Sequence, residues 1–139
     1  MEVGYRTTVV ARWSDMDAFR HVNNAAVVTL LEEARIPWLF APERPTAALA
    51  EGVFMADLRV RYRGQLAIED SPIEVVMWIS RLRAADFTIT AELRPSGVPE
   101  SEAPSVISHA QLAAVDLEAQ RIRRLAAHER AYLKEYHRD

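Results

Sequence analysis

A single stripe of apolar residues at helical spacing, in a chain otherwise built of alternating segments, restricts the architectures open to this sequence. Val27, Leu30, Leu31, Ala34 and Trp38 recur at the period of a helix, and Val28 widens the stripe. The helix they predict is apolar over much of its circumference, so a sheet must wrap it. Asn23 or Asn24 suits its N-cap. Pro37 should end or kink it near Ile36. Glu32, Glu33 and Arg35 fall on the side expected to face solvent.

The segments around this helix follow period two. Residues 5–13 set Tyr5, Thr7, Val9, Ala11 and Trp13 on one face of a first strand. Leu58, Val60 and Tyr62 alternate with Arg59, Arg61 and Arg63 in a second. Ile73, Val75, Met77 and Ile79 mark a third, Phe87, Ile89, Ala91 and Leu93 a fourth, and residues 106–115 a fifth. Residues 41–52, with Pro42, Pro45 and Gly52, read as a connection holding one helical turn around 46–50. A turn falls at 83–86, an exposed hairpin loop at 95–104, and a short helix over 127–136 closes the chain. Consecutive strands joined by short turns favour antiparallel pairing. The expected fold is therefore α+β: one curled antiparallel sheet around one long helix, in a single domain spanning 1–139.

Between the first strand and the helix stands a run of polar and ionisable side chains that neither element needs merely to connect. A carboxylate just before a helix N-terminus lies beside unpaired backbone N–H donors and the positive end of the helix dipole. Asp17 is so placed, and it reads as a catalytic carboxylate, either a general base or a direct nucleophile. Asp15 reads as a residue that orders the turn.

The run Trp13-Ser14-Asp15-Met16-Asp17-Ala18-Phe19-Arg20-His21-Val22-Asn23-Asn24, followed by Leu31-Glu32-Glu33-Ala34-Arg35, resembles the acyl-CoA thioesterases of the 4-hydroxybenzoyl-CoA thioesterase-like family, which have the hotdog fold. The order of elements resembles that fold over nearly the whole chain. By this resemblance Asp17 is the catalytic carboxylate, and the backbone N–H that opens the helix, at Asn24, polarises the thioester carbonyl. The implied reaction hydrolyses an acyl-CoA to free acid and coenzyme A. A thiolate is already a good leaving group, so neither metal nor cofactor is expected. Hotdog proteins pair two sheets edge to edge with active sites between subunits, which implies a homodimer or homotetramer.

One position departs from the pattern. Many relatives have glycine directly before the histidine, where this chain has Arg20. Glycine there allows unusual backbone angles or close substrate approach. Arg20 narrows the pocket, binds an anionic part of the ligand, or marks altered activity. His21 either orients substrate or bonds backbone carbonyls to hold the loop, while Asn23 and Asn24 cap the helix and position its first N–H groups. Arg59 and Arg61 suit the phosphates of coenzyme A, or else pair across strands with Glu74 or Glu92, or with another subunit. A second group of hotdog thioesterases uses a helical glutamate, but Glu32 and Glu33 read as solvated or ion-paired. His109, His128 and His137 lack metal-ligand spacing.

Composition removes several function classes. The chain has no cysteine, so disulfides, thiolate metal sites and a cysteine nucleophile are excluded. A formal net charge of −3 gives no electrostatic reason to expect nucleic acid or an anionic membrane. No apolar run spans a bilayer and the N-terminus lacks a signal-peptide core, so a cytoplasmic protein is expected. Two other readings stay open. Hydratases of this fold carry an Asp-x-Asn-Pro-x-His run, and the stretch from Asp17 to His21 lacks both its Asn and its Pro. A non-catalytic acyl-CoA or acyl-carrier binding protein is the second.

Overall fold

Six strands and two helices form the ordered frame of the computed structural model, which describes residues 1–139. In chain order they are β1 (Tyr5–Val9), α1 (Asn24–Arg35), β2 (Val53–Tyr62), β3 (Ile73–Leu82), β4 (Asp86–Arg94), β5 (Val106–Asp116), β6 (Arg121–Ile122) and α2 (Ala127–Lys134). All strand pairs are antiparallel, in the order β1-β3-β4-β5-β2, with β6 added to β5. The long crossover through α1 carries β2 to the far edge of the sheet, away from β1.

The period-two pattern decides which face is covered. Ile73, Val75, Met77, Ile79, Phe87, Ile89, Ala91 and Leu93 point inward and share one buried cluster with Leu30, Leu31 and Ala34 of α1. Each such aliphatic or aromatic side chain contributes about 1.5–3 kcal/mol on burial. The curled sheet around one helix is thus the architecture expected from the sequence.

Several boundaries differ from expectation, each for a local reason. The first strand stops at Val9, because the Ala11 N–H goes to Ser71 Oγ at 3.0 Å and residues 13–15 tighten into a helical turn. Trp13 consequently leaves the buried face and is 80% exposed. Pro37 ends the α-helix where expected, with Arg35 its last residue and Ile36 its C-cap, but the chain keeps turning. It has no N–H for the α-ladder, and the chain widens into a π-type turn over Ile36–Phe40 that buries Trp38 and Leu39 completely. Trp38 stacks on Tyr5 at 5.6 Å, and its carbonyl accepts from the Tyr132 hydroxyl at 2.8 Å, which ties α2 to this turn. The next helical turn covers Ala47–Glu51, one residue later than expected. Strand β6 has only two residues, too few for any periodicity to reveal.

Arg35 is also a correction. It is only 4% exposed rather than solvated, since it lies one turn from Leu31 and one turn from Leu39, both buried. Burial lowers its pKa, and its Nε has no partner within the chain.

Candidate active site

The junction between β1 and α1 folds into a small hairpin. Met16 and Val22 bridge antiparallel, and the Asp17 N–H donates to the His21 carbonyl at 2.9 Å. The Asp17 side chain closes the tip: Oδ1 accepts from the Phe19 N–H at 2.9 Å and from the His21 N–H at 3.1 Å. Oδ2 accepts nothing from the chain. A short polar side chain that bonds the backbone two residues on is a favoured turn former, so Asp17 has a structural role whatever else it does.

Arg20 turns the chain at φ 66°, in the left-handed region. For a residue with a Cβ this costs about 1–2 kcal/mol. The backbone therefore has the conformation for which glycine is suited at this position, and the arginine carries it nonetheless.

Asp15 lies beneath the hairpin, buried. It accepts from the Arg12 N–H at 2.9 Å and from Arg12 Nε at 3.1 Å. The Arg12 side chain, foremost through that hydrogen bond, holds the Asp15 carboxyl below the usual carboxylate range. Arg12 also reaches Glu33 at 3.2 Å, which accounts for that helical glutamate as an ion-paired residue. The hairpin is stitched to the segment before β3, where the Val22 N–H donates to the Leu66 carbonyl at 2.7 Å and His21 bridges Ala67. The His21 ring itself makes no hydrogen bond in the chain. Backbone pairs and Asp17 hold this loop, so of the two roles open to His21 the imidazole does not fill the loop-holding one within the chain.

The start of α1 is capped on one donor only. Asn23 is the N-cap, and its Oδ1 accepts from the Ala25 N–H at 2.8 Å. The Asn24 N–H donates to no group of the chain, and the first turn holds no acidic side chain. That end of the helix keeps its partial positive charge uncompensated. From the other side the Tyr62 hydroxyl donates to the Asn24 carbonyl at 2.6 Å. Burial raises the pKa of this phenol. Sequence reasoning missed Tyr62 as a site residue. Its only signal was an amphipathic side chain ending the apolar row Leu58, Val60, Tyr62.

Asp17 and Arg20 share the wall of an open pocket of about 440 Å³ with Trp13, Met16, Ile68 and Glu69. Ile68 and Glu69 come from a short helical turn before β3, and no local pattern links them to Asp17. Phe19, at the hairpin tip, is 77% exposed. His21, Asn23 and Asn24 belong to the same hairpin and helix start but lie outside this pocket's wall.

Arg59 and Arg61 stand apart, exposed on the outer face of β2, opposite His109 and Ile107 of β5. Neither forms an ion pair in the chain. The alternative of pairing with Glu74 or Glu92 fails because β5 intervenes, and Glu92 instead meets Arg94 at 3.0 Å. No three His, Asp or Glu side chains converge as metal ligands.

Residues 11–130 match the thioesterase-like superfamily. No protein of curated function matches the sequence. Among solved structures, a predicted thioesterase from Bacillus stearothermophilus aligns with a TM-score of 0.81 at 18% identity, over 98% of both chains. A Thermus thermophilus thioesterase complexed with coenzyme A and Zn aligns at 0.76 and 20% identity, over 93% of this chain and 90% of that one. A Staphylococcus aureus protein in complex with CoA aligns at 0.79 and 10% identity, over 98% and 85%. These likenesses establish the hotdog fold.

Proposed function

The chain belongs to the thioesterase-like superfamily, and from that premise we propose that it hydrolyses an acyl-CoA thioester to free acid and coenzyme A. The observation that carries the reading is Asp17: a half-buried carboxylate in a pocket wall, with Oδ1 held by two amides and Oδ2 free, on the hairpin that opens α1. The relatives with coenzyme A bound support the choice of thiol.

Asp17 acts as general base or as nucleophile. As base, it takes a proton from water while the water oxygen bonds to the thioester carbon. As nucleophile, its oxygen forms a mixed anhydride that water then cleaves. Either way the C–S bond breaks and the thiolate leaves. The free Asn24 N–H is the donor for the carbonyl oxygen as it becomes negative, a contribution of about 10²–10³ in rate where such donors have been removed elsewhere. Asn23 positions that donor by capping its neighbour. Arg20, in the pocket wall with Asp17, holds an anionic part of the ligand, and His21 orients it. Arg59 and Arg61, with unpaired guanidinium forks, suit phosphate. No helix of this chain is long and apolar enough to cross a membrane. The working form is a homodimer, paired through the free edge of the sheet, with each site completed at the subunit boundary.

A thiol-release assay over short, long and aromatic acyl-CoAs tests this. The parent protein releases thiol, whereas Asp17→Asn binds the thioester and releases it at least about 10²-fold more slowly. Tight binding without release by the parent would identify a non-catalytic acyl-CoA binding protein instead.

A further inference from the structure

Across the outer face of the sheet, side chains of three neighbouring strands form one continuous chain of hydrogen bonds. Ser80 Oγ on β3 donates to the Thr88 carbonyl at 3.4 Å, Thr90 Oγ1 on β4 donates to Ser80 Oγ at 2.9 Å, and His109 Nδ1 on β5 lies 2.9 Å from Thr90 Oγ1. Ser80 is the extra residue of a bulge between Ile79 and Arg81, a device that re-aims a side chain. The carbonyl at the end of this chain sets its direction, because it can only accept and each hydroxyl has one proton. Ser80 gives its proton to Thr88, Thr90 gives its proton to Ser80, and Nδ1 of His109 is the donor to Thr90. Thr90 is buried and His109 exposed, so the ring is anchored from below through one nitrogen. Nε2 has no partner in the chain.

Arg59 of β2 stands directly opposite His109, at a position where Cβ atoms are about 4.5–5.5 Å apart. Arg61 follows on the same face, opposite Ile107. The other charged groups around the ring are Asp57, which precedes Arg59 on that face, and Glu92 of β4, which Arg94 holds at 3.0 Å. Asp57 repels an anion from its end of the row, so an anion is drawn toward Arg61.

We propose that Arg59, Arg61 and His109 together bind a phosphate monoester, and that the ribose phosphate of coenzyme A supplies it. The inference rests on the acyl-CoA reading for that source alone. It adds His109 as a phosphate ligand, and Thr90 and Ser80 as the residues that position it. With a proton already on Nδ1, the ring meets an anion as the imidazolium, and Nε2–H is the donor. An imidazolium opposite a guanidinium is a like-charge pair, destabilising by itself. A phosphate between them reverses that, and the planar fork of arginine takes two of its oxygens. A monoester carries about 1.5–2 negative charges at neutral pH, more than either phosphorus of a pyrophosphate bridge, and so it suits three cations best.

Calorimetric titration with coenzyme A and with dephospho-coenzyme A tests this without any thioester. The parent should bind the dephospho form at least about 10-fold more weakly, the contribution of one charge-assisted hydrogen bond. Arg59→Gln and His109→Ala, both at exposed positions, should bring the two affinities toward parity. Thr90→Val should also lose most of the discrimination, while Thr90→Ser, which restores the hydroxyl, should recover it. Parity in the parent overturns the site, even where inorganic phosphate binds on its own, and so does a His109→Ala protein that discriminates as the parent does. Thiol release together with parity leaves the thioesterase reading standing without this site. Discrimination through His109 without thiol release keeps the site and removes the hydrolase.

Discussion

The Tyr62 hydroxyl donates to the Asn24 carbonyl at 2.6 Å, which fastens the last residue of an edge strand to the first residue of the buried helix. Tyr62→Phe keeps the ring and removes this single bond. Loss of one such hydrogen bond costs about 1 kcal/mol, measurable in a denaturant titration. The helix start then has more freedom, so kcat should fall while acyl-CoA affinity changes little. The neutral phenol is the donor, and burial raises its pKa. The bond's contribution is therefore complete below the ordinary tyrosine value and is lost as pH rises through the higher folded one.

Replacements at Asp17 should separate turn from chemistry. Asparagine keeps an oxygen for the Phe19 and His21 amides, so Asp17→Asn should unfold within about 0.5 kcal/mol of the parent. Asp17→Ala strands both donors and should cost about 1–2 kcal/mol. Thiol release should be lost equally in both. Equal stability losses would mean that the charge, rather than the acceptor oxygen, holds the hairpin.

Arg20→Gly should raise the unfolding midpoint. Relief of the left-handed conformation offers about 1–2 kcal/mol, and the added freedom of glycine in the unfolded chain takes back about 0.5–1. The same change removes the guanidinium from the pocket, so KM should rise with kcat kept. An unchanged KM would take Arg20 out of substrate binding.

Glu129 supplies a pH signature far from the site. It accepts from Arg123 Nη1 at 2.8 Å, from Arg123 Nη2 at 2.9 Å, and from the Ala126 N–H at 2.7 Å, with 1% of the residue exposed. The arginine's hydrogen bonds, foremost, lower its pKa. A lowered carboxylate stabilises the fold above its unfolded value of about 4.3, and that stabilisation disappears as pH falls through the folded value. Thermal melts should show the decline below about pH 4.3, and Glu129→Gln should flatten it while lowering the midpoint at neutral pH.

The fold was legible because its two periodicities never overlap: Val27 to Trp38 repeats as a helix, and Ile73 to Ile79 and Phe87 to Leu93 repeat as strands. The polar junction stood out because its residues are contiguous, from Trp13 to Asn24, but its hairpin shape did not, since the alternation of 5–13 carried the first strand too far. What stayed hidden depended on contacts distant in sequence. Ile68 and Glu69 join the Asp17 pocket only after the sheet has curled, and Tyr62 reaches Asn24 only because β2 crosses to the far edge. Arg35 misled because a charged residue beside an apolar stripe normally snorkels outward, whereas here the next turn stays buried. Arg59 and Arg61 were read correctly as one face of β2, while Arg63 falls just past its end, and the row's neighbours depend on strand order, which alternation does not encode.

Two amides grip one oxygen of Asp17, so rotation of that carboxylate is frozen before any ligand arrives. On the catalytic role proposed for Asp17, aiming the group is completed once, as the loop closes, and need not be repeated at each turnover. The barrier of a reaction run there should accordingly be mostly enthalpic, with a small activation entropy, and loosening the loop should steepen the entropic part first.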